Sequence, residues 1–194
     1  MIVWYTSDLH FGHANILGFA DRPWDTLDEM HRGLIERWNY HVSYEDTVYI
    51  LGDLVMGNRE ENLKFVERLA GNKILLPGNH DHCFPGGKKT WRDWVSMYES
   101  AGLTILEMIP PVLSLPAPLD GIDAHMAHFP RIGDSREDPR YSAWRTGWDG
   151  WLLHGHTHAR GRIDHDRLQV HVGVDAWDWS PVASEQLVSL IQAG

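Results

Sequence analysis

Short apolar runs that end in polar clusters recur along the chain. In order, these runs are IVWYT (2–6), TVYIL (47–51), KILL (73–76), LTILEMI (103–109), DAHMAH (123–128), GWLLH (150–154) and RLQVHVGV (167–174). Their length and their content of β-branched residues predict strands.

Helical periodicity appears between the first strands. After the candidate N-cap Thr26, apolar residues follow a 3–4–4 spacing at Leu27, Met30, Leu34 and Trp38. A second helix is predicted to begin at the capping-box pattern of Asn58 and Glu61 and to end before Gly71, and a third to cover 184–192. The order β-α-β-α-β, followed by a strand-rich half, predicts a mixed sheet core with helices packed outside it. The 194 residues fit one domain, residues 1–194.

Composition narrows the classes of function. Seventeen basic against 27 acidic residues give a net charge of −10, which disfavours non-specific binding of nucleic acids. The chain starts without a basic, apolar leader, and no segment approaches the roughly 18 apolar residues of a membrane span. Its one cysteine, Cys83, excludes an internal disulfide and suits a reducing compartment. We therefore expect a cytoplasmic protein without a membrane partner; the sequence leaves its oligomeric state open.

Polar motifs follow three of the predicted strands directly. They are Ser7-Asp8, Gly52-Asp53 and the stretch GNHD at 78–81. In open α/β sheets, ligands bind beyond the carboxyl ends of the strands. Three strand ends that deliver carboxylate, amide and imidazole groups to one edge predict a functional site there.

Histidines are concentrated at the ends of two later strands. In HGHTH, His156 and His158 are two residues apart and share a side in an extended segment, whereas His154 lies deeper in the apolar run and is expected to be buried and hydrogen-bonded. His125 and His128 are three apart and face opposite sides, so His128 is predicted as a ligand and His125 as a structural residue or a support for a ligand.

The remaining motifs supply further donor atoms. Asp8 and His10 share a side by the same spacing, and Asn79 offers a carbonyl oxygen. His80 is a candidate proton donor, with Asp81 near enough to fix its tautomer. Each motif alone also fits an ordinary polar turn. Taken together, their many histidines and few carboxylates predict ions such as Mn, Fe, Co, Ni or Zn.

The same residues resemble the calcineurin-like metallophosphoesterase family. The matching motifs are Asp8-x-His10, Gly52-Asp53, Gly78-Asn79-His80-Asp81, His128 and Gly155-His156-Thr157-His158. The wider phrases SDLHFGHANI (7–16) and VGVDAWDWSPV (172–182) are similar to small stand-alone bacterial and phage members.

This resemblance implies a four-layer αββα sandwich with two central mixed β-sheets and two divalent or trivalent metal ions at the strand ends. One ion would be held by Asp8, His10, Asp53 and His158. The other would be held by the shared Asp53 together with Asn79, His128 and His156. His80, supported by Asp81, would be the catalytic residue beside the leaving group.

The resemblance also limits the classes of substrate that are expected. Protein phosphatases of the family carry an arginine just before the GNH motif, where this chain has Leu76-Pro77. The sequence therefore favours a two-metal phosphodiesterase acting on a small phosphodiester or nucleotide, such as a 2′,3′-cyclic nucleotide. A phosphomonoesterase, a nuclease and a non-catalytic protein-binding scaffold are the alternatives.

Several residues outside the motifs are candidates for supporting roles. His13 is a candidate substrate contact or supporting residue, and Asp175 is a candidate for orienting a ligand histidine. The stretch 131–151 is expected to lie over the cleft, where Arg131 and Arg145 would contact a phosphate. It also contains Arg136, Arg140, Tyr141, Trp144 and Trp148. Its acidic and basic residues balance, so a solvated loop with packed tryptophans is the alternative.

Overall fold

The computed structural model describes residues 1–133 and 139–194. Within these ranges the strands are β1 (Val3–Thr6), β2 (Thr47–Ile50), β3 (Asn72–Leu75), β4 (Leu103–Ile105), β5 (Leu115–Pro116), β6 (Ala124–Met126), β7 (Trp151–His154), β8 (Ile163–Asp164), β9 (Gln169–His171) and β10 (Val182–Ala183). The helices are α1 (Ile16–Phe19), α2 (Leu27–His41), α3 (Arg59–Val66), α4 (Trp91–Ser100) and α5 (Ser184–Gln192), with 3-10 helices at Pro139–Trp144 and Val174–Ala176.

The described strands form two five-stranded sheets. The first has the order β10-β1-β2-β3-β4 and the second β5-β6-β7-β9-β8. Strands β1 to β4 run parallel, as do β6, β7 and β9, while β10, β5 and β8 are antiparallel edge strands. Both sheets are therefore mixed, which confirms the predicted α/β class.

The predicted helix starts are present. Thr26 Oγ1 accepts from the Glu29 amide at 3.3 Å, and the Glu29 carboxylate accepts from the Thr26 amide at 3.1 Å, a complete capping box. Asn58 caps α3 by accepting from the Glu61 amide. Helix α4 and the two-residue edge strands were not predicted from the sequence. The strands are too short to show periodicity, whereas the apolar residues of α4 do follow a helical spacing that is present in the sequence.

Alternation along the strands divides the core into two clusters. Val48 of β2 packs with Trp38 of α2 and Tyr98 of α4 on the helical face of the first sheet. The opposite face, including Tyr5 of β1, packs against the second sheet through Leu153 of β7. The first sheet is thus buried on both faces, which fits the apolar character of its strands.

The outer face of the second sheet is covered by the segment that follows β6. The ring of Trp148 stacks on His125 at 3.8 Å, and Gln169 accepts from the Arg131 amide at 2.7 Å. His154 is buried there and donates from Nδ1 to the Gly155 carbonyl at 2.9 Å, so its predicted burial and hydrogen bonding are confirmed. Among the described helices, none has the length and apolar content needed to cross a membrane.

Candidate metal centre

The carboxyl ends of the parallel strands from both sheets meet at one edge of the molecule. Loop backbones bridge them: the Asp8 amide donates to Gly52, the His10 amide to Asp53, and the Gly155 amide to His128, each at 3.0 Å. The first two bonds join loops of the first sheet, and the third joins loops of the second. The two sheets are linked by the His156 amide, which donates to Asp8 Oδ2 at 2.9 Å. The sheet topology therefore gathers motifs that lie up to 150 residues apart.

The donor atoms form two neighbouring groups. One contains Asp8, His10 and His158, the other Asp53, His128 and His156; within each group all donor atoms lie within 4.8 Å of one another. The Asp53 carboxylate lies between the groups, with Oδ2 at 3.7 Å from His10 Nε2 and Oδ1 at 3.6 Å from His128 Nε2. We call the first set the His158 group and the second the His156 group.

The His158 group offers an imidazole nitrogen suited to a metal ion. His10 Nε2 is buried and has no hydrogen-bond partner among the described residues. Burial, together with the charges of His158 and Arg22, holds the pKa of His10 well below its usual value. A neutral imidazole with an unused buried lone pair is a metal donor, so this group fits a cation.

The His156 group shows the same property. His128 Nδ1 donates to the Leu51 carbonyl at 2.7 Å, which leaves the lone pair on Nε2. Asn79 Oδ1 lies 3.0 Å from that nitrogen. Two acceptor atoms facing each other at this distance are the arrangement expected around a cation, so Asn79 joins this group.

Two carboxylates are embedded among these histidines. Burial opposes the ionisation of Asp8, but His158 and the other nearby imidazoles outweigh it and lower the pKa of Asp8 to about 2. Its Oδ2 accepts from Ser7 Oγ at 2.6 Å and from the His156 amide at 2.9 Å. Asp175 accepts from His158 Nδ1 at 2.7 Å, which directs the His158 Nε2 lone pair towards the centre. Asp8 is therefore a charged donor, and Asp175 lies where an orienting residue is expected.

The backbone at the centre is unusual. Five residues of the two groups have positive φ angles in the left-handed region: Asp8, His10, Asp53, His156 and His158. Such angles are uncommon outside glycine and cluster at functional sites. Gly52, at φ +90°, is also required for space, because a Cβ there would lie 2.5 Å from His128 Nδ1.

A cavity of about 320 Å³ opens onto both groups. His80 lines it with a side chain that is 42% exposed, and its Nε2 lies 3.9 Å from Asp53 Oδ2. His13 also lines the cavity, with its ring 6.5 Å from that of His80. Ile16 and Phe19 of α1 form the apolar part of the wall. Their role was not predicted, and the only signal for it is their position in or near the stretch SDLHFGHANI.

Comparison with known proteins agrees with this geometry. The family model for calcineurin-like phosphoesterases matches residues 1–160. The chain belongs to this family.

Relatives of this phosphoesterase come from phages and microbes. The Gene 66 protein of Mycobacterium phage D29 is 38% identical over 186 residues, covering 90% of this chain and 88% of the relative. A protein of unknown function from Aquifex aeolicus has a similar fold, with a TM-score of 0.70, 22% identity and coverage of 98% and 99% of the two chains. The phosphopantetheinyl hydrolase of Mycobacterium tuberculosis is more distant, with a TM-score of 0.51, 16% identity and coverage of 92% and 91%.

Asp81 of the phosphoesterase does not support His80 as the sequence suggested. Its Oδ2 accepts from the amides of Asp53 and Gly78 at 2.8 and 2.9 Å, and its Oδ1 from the Leu54 amide at 3.0 Å. Burial and the neighbouring Asp53 charge raise the pKa of Asp81 to about 7. Because both oxygens are occupied by backbone donors, Asp81 fixes the loop that carries Asp53.

The arginines expected to contact substrate lie elsewhere. Arg131 donates to the carbonyls of Gly150 at 2.6 Å and Arg167 at 3.0 Å, and Arg145 donates to the Pro130 carbonyl at 2.5 Å. Neither arginine lines the phosphoesterase cavity. Both guanidinium groups hold backbone carbonyls in place instead.

The rest of that stretch is only partly described. Arg136 and the side chain of Arg140 lie outside the described residues. Tyr141 stacks on Phe129 at 4.9 Å, with its ring 6.2 Å from His156. The stretch therefore brings an aromatic side chain to the edge of the His156 group.

Proposed function

We propose that this phosphoesterase hydrolyses small phosphodiesters at a centre of two metal ions, with 2′,3′-cyclic nucleotides as representative substrates. The observation that carries the proposal is the position of the Asp53 carboxylate, whose two oxygens face different donor groups at 3.7 and 3.6 Å. The His158 group and Asp53 would hold one ion, and the His156 group with Asn79 the other. Imidazole-rich donor sets of this kind match Mn, Fe, Zn, Co or Ni better than Mg or Ca.

Two ions bound in these groups would supply Lewis acidity, which activates water and offsets charge on the phosphoryl oxygens. The ions cannot protonate the leaving group, and His80 would supply this proton. Its backbone amide donates to Asp53 Oδ1 at 2.9 Å, which fixes the residue beside the shared carboxylate while its ring stays exposed in the cavity. From there, His80 protonates the departing alkoxide.

The charge of the cavity wall favours a diester over a monoester. Among the described residues, those lining the cavity include neither lysine nor arginine. A phosphomonoester dianion brings one more negative charge to the site than a diester does, and besides the two proposed ions the described wall has no lysine or arginine to pair with it. The single charge of a diester is therefore the better match.

The apolar wall suits a nucleoside. Phe19 is 57% exposed and meets the His158 ring edge-to-face at 5.9 Å. A flat exposed ring next to the donor atoms can stack against a nucleobase, a contact worth about 1–3 kcal/mol. Phe19 and Ile16 would thus bind the non-reacting part of a nucleotide.

The net charge and the free cysteine bear on the size of the substrate and on the compartment of the enzyme. The net charge of −10 disfavours long polyanionic substrates, which supports a small ester. Cys83 is a buried free thiol, as expected of a protein in the reducing cytoplasm, where we place this enzyme.

The proposal is tested by turnover of matched esters by Mn-loaded protein. We expect bis-p-nitrophenyl phosphate to be cleaved faster than p-nitrophenyl phosphate, and 2′,3′-cyclic nucleotides to be opened. His80→Ala should keep its metal while turnover falls by about 10²–10⁴-fold. His165→Ala, at an exposed histidine away from the cavity, is the control and should match wild type. A preference for the monoester, or no cleavage by protein that holds two ions, would overturn the proposal.

A further inference from the structure

Arg22 is a buried cation for which the sequence suggested no role. Its side chain has no exposed surface, and neither has that of its partner Asp175. An arginine is rarely buried unless it is paired and hydrogen-bonded. Its contacts therefore show what the fold uses it for.

The guanidinium makes four hydrogen bonds to oxygen atoms, of two kinds, and a fifth from Nη1 to Met30 Sδ at 3.4 Å. Nε and Nη2 donate to the two oxygens of the Asp175 carboxylate at 2.9 and 3.2 Å. Nη1 donates to the Leu9 carbonyl at 2.8 Å, and Nη2 also donates to the Asp8 carbonyl at 2.6 Å. The planar fork of an arginine can serve a carboxylate and two carbonyls together, which a lysine ammonium cannot do with the same geometry.

The two kinds of bond lead to the three residues of the His158 group. The carbonyls belong to the segment that carries Asp8 and His10, whose φ angles of 59° and 54° lie in the left-handed region. The carboxylate of Asp175 accepts from His158 Nδ1 at 2.7 Å. Arg22 thus connects Asp8 and His10, which follow a strand of the first sheet, with His158, which follows a strand of the second.

Two members of the His156 group are held by different contacts, whereas the amide of His156 itself donates to Asp8. His128 is oriented by the Leu51 carbonyl, and the loop of Asp53 by Asp81. The described hydrogen bonds of Arg22 include none to these residues. Loss of the Arg22 contacts should therefore weaken metal binding by the His158 group more than binding by the His156 group.

We propose that Arg22 is a positioning residue that, through Asp175 and the Asp8 backbone, sets the affinity of the His158 group for its ion. It does so without contacting the ion or the substrate. The inference rests on the proposed two-ion centre and is independent of which ester is cleaved.

The test is a calorimetric titration of metal-free protein with Mn²⁺, which does not use turnover. Wild type should bind two equivalents. Arg22→Lys, which keeps the charge and most of the volume, should weaken one equivalent by about 10–100-fold, as is typical when an outer partner of a ligand is lost. Asp175→Asn interrupts the same link and should weaken the same equivalent, which His158→Ala identifies by removing it.

Arg131→Lys is the control. Arg131 also holds backbone carbonyls, those of Gly150 at 2.6 Å and Arg167 at 3.0 Å, and neither bond leads to a donor residue of the centre. It should bind both equivalents as wild type does.

The outcomes separate this proposal from the proposed function. If Arg22→Lys leaves both equivalents unchanged, or weakens both equally together with a lower melting temperature, the positioning role is wrong. Wild-type protein that binds two ions but cleaves no phosphodiester would overturn the function alone.

Discussion

Replacement of Gly155 by alanine would displace a proposed metal ligand by a purely steric effect. Gly155 precedes His156, and its φ lies outside the left-handed region, so alanine suits its backbone. A Cβ at this position, however, would lie closest to Ser7 Oγ, and 2.6 Å from Asp8 Oδ2. Ordinary van der Waals contact begins at 3.4 Å, so both side chains must move, the Asp8 carboxylate by about 0.8 Å.

The expected cost follows from that overlap. Overpacking of this kind destabilises a protein by about 1–3 kcal/mol. A shift of about 1 Å in a group that positions a reactant lowers turnover by roughly 10²-fold. Gly155→Ala should show both effects, together with weaker binding of one Mn²⁺ equivalent.

The assays are urea unfolding of metal-free protein and turnover of bis-p-nitrophenyl phosphate. Gly161→Ala is the control, since Gly161 follows the same loop, also has an ordinary φ, and has no atom within 4 Å of an added Cβ. That variant should be as stable as wild type or more stable by about 0.4–1 kcal/mol. If Gly155→Ala behaves like Gly161→Ala, Asp8 is not held where the structure places it.

Three further changes test other parts of the centre. Asp81→Ala should lose metal and turnover together, because the amides of Asp53 and Gly78 lose their acceptor. If this variant kept its metal but had low turnover, Asp81 would act through His80 instead. Arg131→Ala should leave KM unchanged and lower the free energy of unfolding by about 1–3 kcal/mol, because the Gly150 carbonyl loses its donor. A raised KM would mean that Arg131 contacts the substrate. Chelation should lower the melting temperature of wild type, because stability falls by about 2.7 kcal/mol for each ion whose free concentration had been 100 times its Kd. An unchanged melting temperature would mean that no ion stabilises the fold.

The convergence of the donor residues was predictable because each motif follows a parallel strand. Strand ends meet at one edge whatever the details of the loops. The backbone conformation within the motifs was not predicted correctly. An extended segment would place Asp8 and His10 on the same side, yet both residues adopt left-handed φ angles. They approach one another because the loop bends, and the sequence contains no signal for that bend other than the polar residues themselves.

Contacts between distant residues were not predictable. Arg22 and Asp175 are 153 residues apart, and neither lies in a periodic pattern from which their contact could be predicted. Asp81 follows His80 directly, which suggested a contact between neighbours, but its side chain turns to the amides of another strand end. Arg131 was assigned to a phosphate by its charge, whereas the fold uses its donors for backbone carbonyls.

The central claim is that Asp53 joins two metal ions, and Mn²⁺ loading followed by metal analysis and electron paramagnetic resonance tests it most directly. We predict two ions per chain with a spin-coupled spectrum, which Asp53→Ala abolishes. One ion per chain, or two ions whose spectra are those of isolated Mn²⁺, would contradict it.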